Sequence, residues 1–156
     1  MRFLIIAVGN KIPAWAEAGV HEYLRRMPPE VTVEVKEVKP EKRSQGKNIG
    51  QMLAAESLRI KAAVPPQYRT VVMDRQGKQY DTIRLAESVS RWGQSGIHTA
   101  FIIGSADGLD DHVIASADET LALSALTLPH SLARLFLAEQ LYRAISLIKR
   151  HPYHRE

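Results

Sequence analysis

The sequence contains no cysteine among its 156 residues. A disulfide framework, a catalytic thiol and a thiolate-bound metal are therefore excluded, and we expect a cytoplasmic protein. No apolar run approaches the ~20 residues that a membrane-spanning helix needs. The motifs GxGxxG, GxxxxGK[ST] and GxSxG are also missing. Their absence removes the sequence support for a Rossmann dinucleotide site, a P-loop nucleotide hydrolase and an α/β-hydrolase.

Positive charge is in excess. The formal net charge is +4 and the sequence pI is about 9.5. Hydrophobic residues make up 45% of the chain and charged residues 24%, as in a folded domain rather than a disordered chain. The cations group at Arg25 and Arg26, within residues 36–47, and at the end of the chain after Arg143. This distribution favours a polyanionic partner such as RNA, although three solvated charged surfaces would look the same.

Apolar runs with strand character alternate with helical spacings along the whole chain. We predict strands at 2–8, 31–36, 70–73, 99–103 and 121–126. We predict helices at 13–26, 49–63, 82–92 and 110–116, and after Pro129. This alternation predicts an α/β fold with a mostly parallel sheet and helices on both faces. With no repeat, linker or change of composition, we expect one domain over residues 1–156. Trp15, Ala18 and either Tyr23 or Leu24 are predicted to face the core.

The C-terminal stretch concentrates the unusual side chains. The apolar run from Leu121 to Leu128 is stopped by Pro129, and Ser131 is a suitable N-cap for the helix that follows. Predicted strands also end before Asp74 and Gly104. Because the carboxyl ends of parallel strands meet at one edge of a sheet, we expect a ligand site there.

The closing residues, HPYHRE, allow three functional interpretations and one without a function. His151 and His154 could bind a metal together with His130, as in a metal-dependent hydrolase, but no HExxH motif or suitably spaced carboxylate accompanies them. Alternatively, His154 could accept a proton while Arg155 holds an anion. The rings and cations also suit single-stranded RNA. A frayed basic terminus is the alternative without a function.

Several motifs together resemble the ribosomal large subunit methyltransferase H family of the SPOUT superfamily, and the resemblance covers the chain from end to end. They are VGxKxPxW from Val8, EYLRRxP from Glu22, LSxLTxPH from Leu123, ExLYRA from Glu139, and the terminal HPYHRE. The resemblance implies a C-terminal trefoil knot whose loops hold S-adenosylmethionine in a bent form. It also implies a homodimer with sites at the subunit interface, which methylates N3 of a pseudouridine in 23S rRNA on the assembled ribosome. Neither a metal nor a membrane is implied.

The resemblance also assigns roles to individual positions. Positions that match its cofactor-binding residues are Met73, Gly104, Leu123, Ser124, Ala125, Leu126, Thr127 and Leu128. Its catalytic tail matches Tyr153, His154 and Arg155, with His154 as candidate base and Arg155 as candidate stabiliser of the uracil oxyanion. Its substrate-facing positions match Arg25, Glu139 and Arg143.

One loop departs from the family pattern. The family usually has two glycines, a proline and a glutamate where this chain reads Gly104-Ser105-Ala106-Asp107-Gly108. A shortened acid and a lost proline change the conformational freedom of the loop. The departure keeps open an alternative of a different class, a ribosome-binding factor with a SPOUT fold and no catalysis.

Overall fold

The computed structural model describes residues 1–44 and 46–155. Five strands alternate with five helices in this part of the chain. In chain order they are β1 Arg2–Val8, α1 Ala14–Arg25, β2 Thr32–Val38, α2 Ile49–Ala63, β3 Arg69–Gln79, α3 Thr82–Gln94, β4 Thr99–Ile103, α4 Asp111–Ser116, β5 Glu119–Ala122 and α5 His130–Ile148. No helix of the described residues is long and apolar enough to cross a membrane.

All strand pairs in the sheet are parallel, and the strand order is β2-β1-β4-β3-β5. Residues Phe3 to Val8 of β1 are all buried, which explains why this strand reads as a continuous apolar run rather than an alternating one. Alternate residues point to opposite faces, so the sheet has a core on each side. The predicted α/β fold is confirmed.

Helices cover both faces of the sheet. On one face, α3 and α5 pack over Phe3 and Phe101, whose ring centroids are 5.9 Å apart. On the other face, α2 and α4 pack over Leu4 and Ile6. Helix α1 lies along α5, with Gly19 against Leu135.

Trp15 and Ala18 do not face the core, so the prediction was wrong for these two residues. The buried residues of α1 are Ala16 and Val20, while Trp15 is 59% exposed. The helix contributes only a narrow buried stripe, because it contacts the fold mainly through α5. An aromatic residue on the outer side of this stripe is left in solvent.

The third strand is longer than predicted and contains a bulge. Residues 74–78, which lie beyond the end of the predicted strand at 70–73, belong to β3, and both Met73 and Lys78 pair with Leu121. The chain passes so close to β5 that a Cβ on Gly77 would lie 2.7 Å from the backbone of Leu121. Glycine permits this close approach, which a local pattern cannot foresee.

The last strand and last helix begin earlier than predicted. Strand β5 ends at Ala122, and the apolar run continues as irregular chain. Ser124 Oγ accepts a hydrogen bond from Leu126 N at 2.9 Å, which turns the backbone out of the sheet. Helix α5 begins at His130 with Pro129 as its N-cap, so Ser131 lies inside the first turn and does not cap it.

Candidate functional site

A cleft of about 960 Å³ opens at the carboxyl ends of β3, β4 and β5. Seven of the eight predicted cofactor-binding residues line it: Met73, Gly104, Leu123, Ser124, Leu126, Thr127 and Leu128. Ala125 lies in the same segment but is exposed and off the cleft wall. The topology therefore gathers these residues from three separate strand exits, as expected for the binding edge of a parallel sheet.

The loop after β4, residues 104–108, forms one side of the cleft and is tightly folded. Gly108 N donates to Ser105 O at 2.9 Å. A Cβ on Gly104 would lie 2.5 Å from Gly108 O, and Gly108 has a φ of +88°. Both end positions therefore require glycine.

Contacts with other parts of the chain support two of the side chains that distinguish this loop from the family pattern, Ser105 and Asp107. Ser105 Oγ donates to Glu56 Oε1 of α2 at 2.9 Å, a bond that glycine could not form. Asp107 accepts from Arg43 Nη2 at 2.5 Å. The shorter acid and the serine are thus accommodated in a closed loop.

His130, at the start of α5, joins this loop to a buried arginine. Its Nδ1 lies 3.0 Å from Gly104 O, and its Nε2 accepts from Arg134 Nε at 2.8 Å. Since arginine can only donate, Nε2 is unprotonated and Nδ1 carries the proton that is donated to Gly104. Burial, and then the positive charge of Arg134, lower the pKa of His130. The imidazole is therefore neutral, has a fixed tautomer and bridges Gly104 O and Arg134 Nε.

Arg134 is 2% exposed, and its guanidinium crosses from α5 to two other strand exits. It donates to Glu37 Oε1 at 2.9 Å and to Asn10 O at 3.4 Å. A buried charge needs this kind of pairing to offset its desolvation. The arginine thereby joins the carboxyl ends of β1 and β2 to the cleft wall.

The predicted catalytic tail lies at the other end of α5. Tyr153 Oη donates to Glu139 Oε1 at 3.0 Å and lies 3.5 Å from Tyr23 Oη. The centroid of its ring lies 4.7 Å from that of the Tyr142 ring. Burial, together with the hydrogen bonds to Tyr23 and Glu139, raises the pKa of Tyr153, so its hydroxyl stays protonated and donates.

Arg143 connects the predicted substrate-binding and catalytic residues. It donates to Glu139 Oε1 from Nε at 2.9 Å and from Nη2 at 2.5 Å, and its guanidinium carbon lies 4.7 Å from the Tyr153 ring centroid. Its Nη1 is 3.3 Å from His154 Nδ1. The structure thus brings Glu139, Arg143, Tyr153 and His154 together.

Arg25 and Arg155 stand apart from this group. Arg25 is exposed at the end of α1 and pairs with Glu22, which also pairs with Arg26. The guanidinium of Arg26 lies 5.5 Å from the Tyr23 ring centroid. Arg155 is exposed. Arg26, just after α1, therefore lies beside Tyr23, whose ring contacts that of Tyr153 in the tail.

The metal interpretation of the histidines conflicts with their positions. His130 begins α5, whereas His151 and His154 follow its last residue, Ile148. A helix of 19 residues is about 28 Å long. Residues 1–44 and 46–155 contain no group of three histidine, aspartate or glutamate side chains that could hold a metal.

Sequence reasoning missed Arg134, Glu37 and Glu56. Arg134 lies three residues before Leu137 and four before Ala138, on the face of α5 that packs against the sheet. A charged residue at a core-facing helical position was the available signal. Its partner Glu37 is 97 residues away in sequence, so the pairing itself could not be predicted.

Comparisons with known proteins identify the family of this chain. A family described as "Predicted SPOUT methyltransferase" matches residues 1–154. The chain is 57% identical to the ribosomal RNA large subunit methyltransferase H of Nitrosospira multiformis, with 99% of both chains covered. It is 54% identical to the protein of that name from Nitrosomonas eutropha and 49% to that from Paraburkholderia xenovorans, again over 99% of both chains.

Structural comparison supports the fold independently. A probable methylase family protein from Haemophilus influenzae aligns with a TM-score of 0.58 over 99% of this chain and 70% of its own. At 14% sequence identity this similarity concerns the fold alone. The full-length family match and the high identities decide the classification, and this chain belongs to the SPOUT methyltransferase family.

Proposed function

We propose that this protein transfers a methyl group from S-adenosylmethionine to N3 of a pseudouridine in 23S rRNA on the assembled ribosome, in the cytoplasm. The observation that carries the proposal is the cleft that the predicted cofactor-binding residues line. The specific RNA substrate follows the name of the relatives and the terminal motif shared with their family.

The family uses S-adenosylmethionine, and the residues of the cleft fit this molecule. Leu123 and Leu128 offer apolar surface, while Gly104 leaves room that a Cβ would fill. In the segment 124–128, the backbone makes one described hydrogen bond, from Leu126 N to Ser124 Oγ. The other amide and carbonyl groups of the segment can therefore bind the edge of an adenine. When bound, S-adenosylmethionine supplies an electrophilic methyl group on its sulfonium.

We further propose that the segments at 104–108 and 123–128 belong to a trefoil knot, as the resemblance implies. The pairing of β3 with both β4 and β5 is compatible with this topology. The knot would fix both segments against each other, so that the cleft walls keep their spacing without a ligand.

The active unit that we propose is a homodimer. Within one chain, the described tail residues Tyr153, His154 and Arg155 do not line the cleft. A partner subunit could supply the tail across an interface. Large apolar side chains are exposed on the outer side of α1 and α5, with Trp15 at 59% and Phe136 at 45%, and this surface is our candidate for the interface.

The tail would deprotonate the acceptor base and stabilise the charge that develops on it. An N3 proton must leave before or during methyl transfer, and negative charge then develops on the uracil oxygens. In this structure His154 Nδ1 accepts from Arg143, so neutral His154 carries its proton on Nε2. His154 can therefore act as a base at Nδ1 only after it leaves Arg143. Arg155, which is exposed, would stabilise the developing oxyanion.

Methyl transfer to intact ribosomes by tail variants tests this assignment. We expect His154→Ala and Arg155→Ala to reduce kcat by about 10²–10⁴-fold, the range for loss of a proton-transfer or oxyanion-stabilising group. Binding of S-adenosylmethionine by calorimetry serves as the control for an intact cleft. Wild-type rates for both variants would refute a catalytic tail.

A mixing experiment tests the shared site. Protomers that carry Gly104→Ala are combined with protomers that carry His154→Ala at an S-adenosylmethionine concentration well below the Kd of the Gly104→Ala cleft, so that neither homodimer is expected to be active. After random exchange, half of the dimers are mixed and each has one intact composite site, so about a quarter of the wild-type activity should return. If each chain forms its own site, no activity returns.

A further inference from the structure

A second cavity, of about 490 Å³, lies beside the cleft at the carboxyl ends of β1, β2 and β4. Residues 105–107 and His130 line both spaces. A molecule in the second cavity would therefore be separated from the methyl donor's cleft only by this shared wall. None of the roles assigned above uses the second cavity.

The lining of the second cavity combines an apolar part with donors and acceptors. Ile12, Met52 and Leu53 supply the apolar surface. Cations are present at Lys11 and Arg43, and the hydroxyl of Ser131 can donate and accept. The volume falls within the ~300–1,000 Å³ of typical small-molecule sites, which share this mixture of surfaces.

Three carboxylates in the lining argue against a phosphate ligand. They belong to Glu41, Glu56 and Asp107. Arg43 is already paired with Asp107, and the cations that pair with Glu41 lie outside the lining. A phosphate would therefore find little free positive charge and would be repelled by carboxylates in a partly enclosed site. A nucleoside avoids the repulsion, since its base has apolar faces and an edge that both donates and accepts hydrogen bonds.

Glu56 provides a fixed acceptor for such an edge. Its side chain is 5% exposed, and its two oxygens accept from Ser105 Oγ at 2.9 Å and from Glu41 N at 3.0 Å. A carboxylate has about four acceptor positions, so each oxygen retains capacity for another donor. The same contacts hold the shared wall in place, since Ser105 belongs to it.

We propose that the second cavity is a subsite for one unpaired nucleoside of the RNA substrate, held beside the methyl donor's cleft. The base lies against Ile12 and Leu53, and its edge meets Glu56, Asp107 and Ser131. This proposal rests on the proposed RNA methyltransferase function and adds a second point at which the strand is held.

Filling the cavity from α2 tests the proposal. Leu53 is half-buried in the second cavity and does not line the cleft, whereas Leu58 of the same helix is 68% exposed and lines neither space. We expect Leu53→Trp to lower kcat/KM for ribosomes by about tenfold or more, with S-adenosylmethionine affinity within about twofold of wild type. Leu58→Trp is the matched control and should match wild type in both. Leu53→Phe, a smaller change, replaces the tryptophan variant if the latter unfolds.

Amide NMR shifts during titration with uridine give a second readout that needs no turnover. We expect shifts at Leu53, Ser105 and Ser131 in the wild type, and their loss in the filled variant. Shifts confined to residues 123–128, shifts with inorganic phosphate alone, or wild-type turnover by Leu53→Trp would each overturn the subsite. If wild-type protein binds S-adenosylmethionine but methylates no RNA, the proposed function fails, and the subsite fails with it. An active wild type with an equally active Leu53→Trp overturns the subsite alone.

Discussion

Replacement of Arg134 by methionine tests whether the buried guanidinium holds the cleft wall. Methionine keeps much of the aliphatic volume but removes three hydrogen bonds, to His130 Nε2, Glu37 Oε1 and Asn10 O. Each of these bonds has a charged donor, the type worth about 1.5–3 kcal/mol, but the variant also removes the desolvation cost of the buried guanidinium, which offsets part of the loss. Glu37 is half exposed and would be hydrated in the variant, which reduces the penalty for its lost partner.

We therefore expect Arg134→Met to lower the free energy of unfolding by about 2–4 kcal/mol. For a chain of this size the corresponding decrease in Tm is about 5–15 °C. Urea unfolding followed by circular dichroism gives the free energy directly.

The same variant should weaken the cofactor site. Without Arg134 the tautomer of His130 is no longer fixed, so the bond to Gly104 O is made only part of the time. A lost neutral hydrogen bond of about 1 kcal/mol corresponds to roughly a fivefold weaker Kd for S-adenosylmethionine. Calorimetry well below the Tm of the variant measures this change.

Glu37→Gln is the matched comparison. The amide can still accept from Arg134, but the buried guanidinium loses its counter-charge, so we expect a loss of about 1–3 kcal/mol even though Glu37 itself is half exposed. A loss below 1 kcal/mol for Arg134→Met, or an unchanged Kd for S-adenosylmethionine, would refute the reasoning about the network.

Three further predictions follow from single residues. Gly104→Ala should destabilise the fold by about 1–3 kcal/mol and weaken S-adenosylmethionine binding, because the new Cβ meets Gly108 O at 2.5 Å; Gly50→Ala, whose Cβ would lie 3.4 Å from Asn48 Oδ1 at ordinary van der Waals distance, is the calorimetric control, and equal effects would contradict the steric argument. The lowered pKa of His130 means that the unfolded state binds more protons, so the stability advantage of the wild type over His130→Gln should shrink as pH falls below about 6.5; an advantage in urea unfolding that grows toward low pH would reverse the sign. Trp15→Glu should give monomers in analytical ultracentrifugation, and an unchanged dimer would place the interface elsewhere.

The regular part of the fold could be predicted because its signals are local. The structure confirms the predicted strands at 2–8 and 99–103 and the predicted helix at 49–63, and Asp81 caps α3 by accepting from Arg84 N at 2.8 Å. Each of these depends on neighbouring residues alone. The predicted strand at 121–126 is confirmed only as far as Ala122, because apolar character does not separate a buried strand from the apolar binding segment that follows it.

The site was only partly accessible from the sequence. The resemblance supplied the residues that line the cleft, and parallel topology explains why they meet. The support behind them depends on contacts between distant residues, such as Arg134 with Glu37 and Ser105 with Glu56. No periodicity encodes such pairs. Their members appear in the sequence as ordinary polar residues until the fold brings them together.

The proposed reaction is best tested by methyl transfer from labelled S-adenosylmethionine to intact ribosomes, followed by mapping of the modified base. Free ribosomal RNA is the parallel substrate. We expect label at N3 of a pseudouridine in 23S rRNA, on ribosomes and not on free RNA. A folded dimer that transfers no label, or that labels a different base, would contradict the proposed reaction.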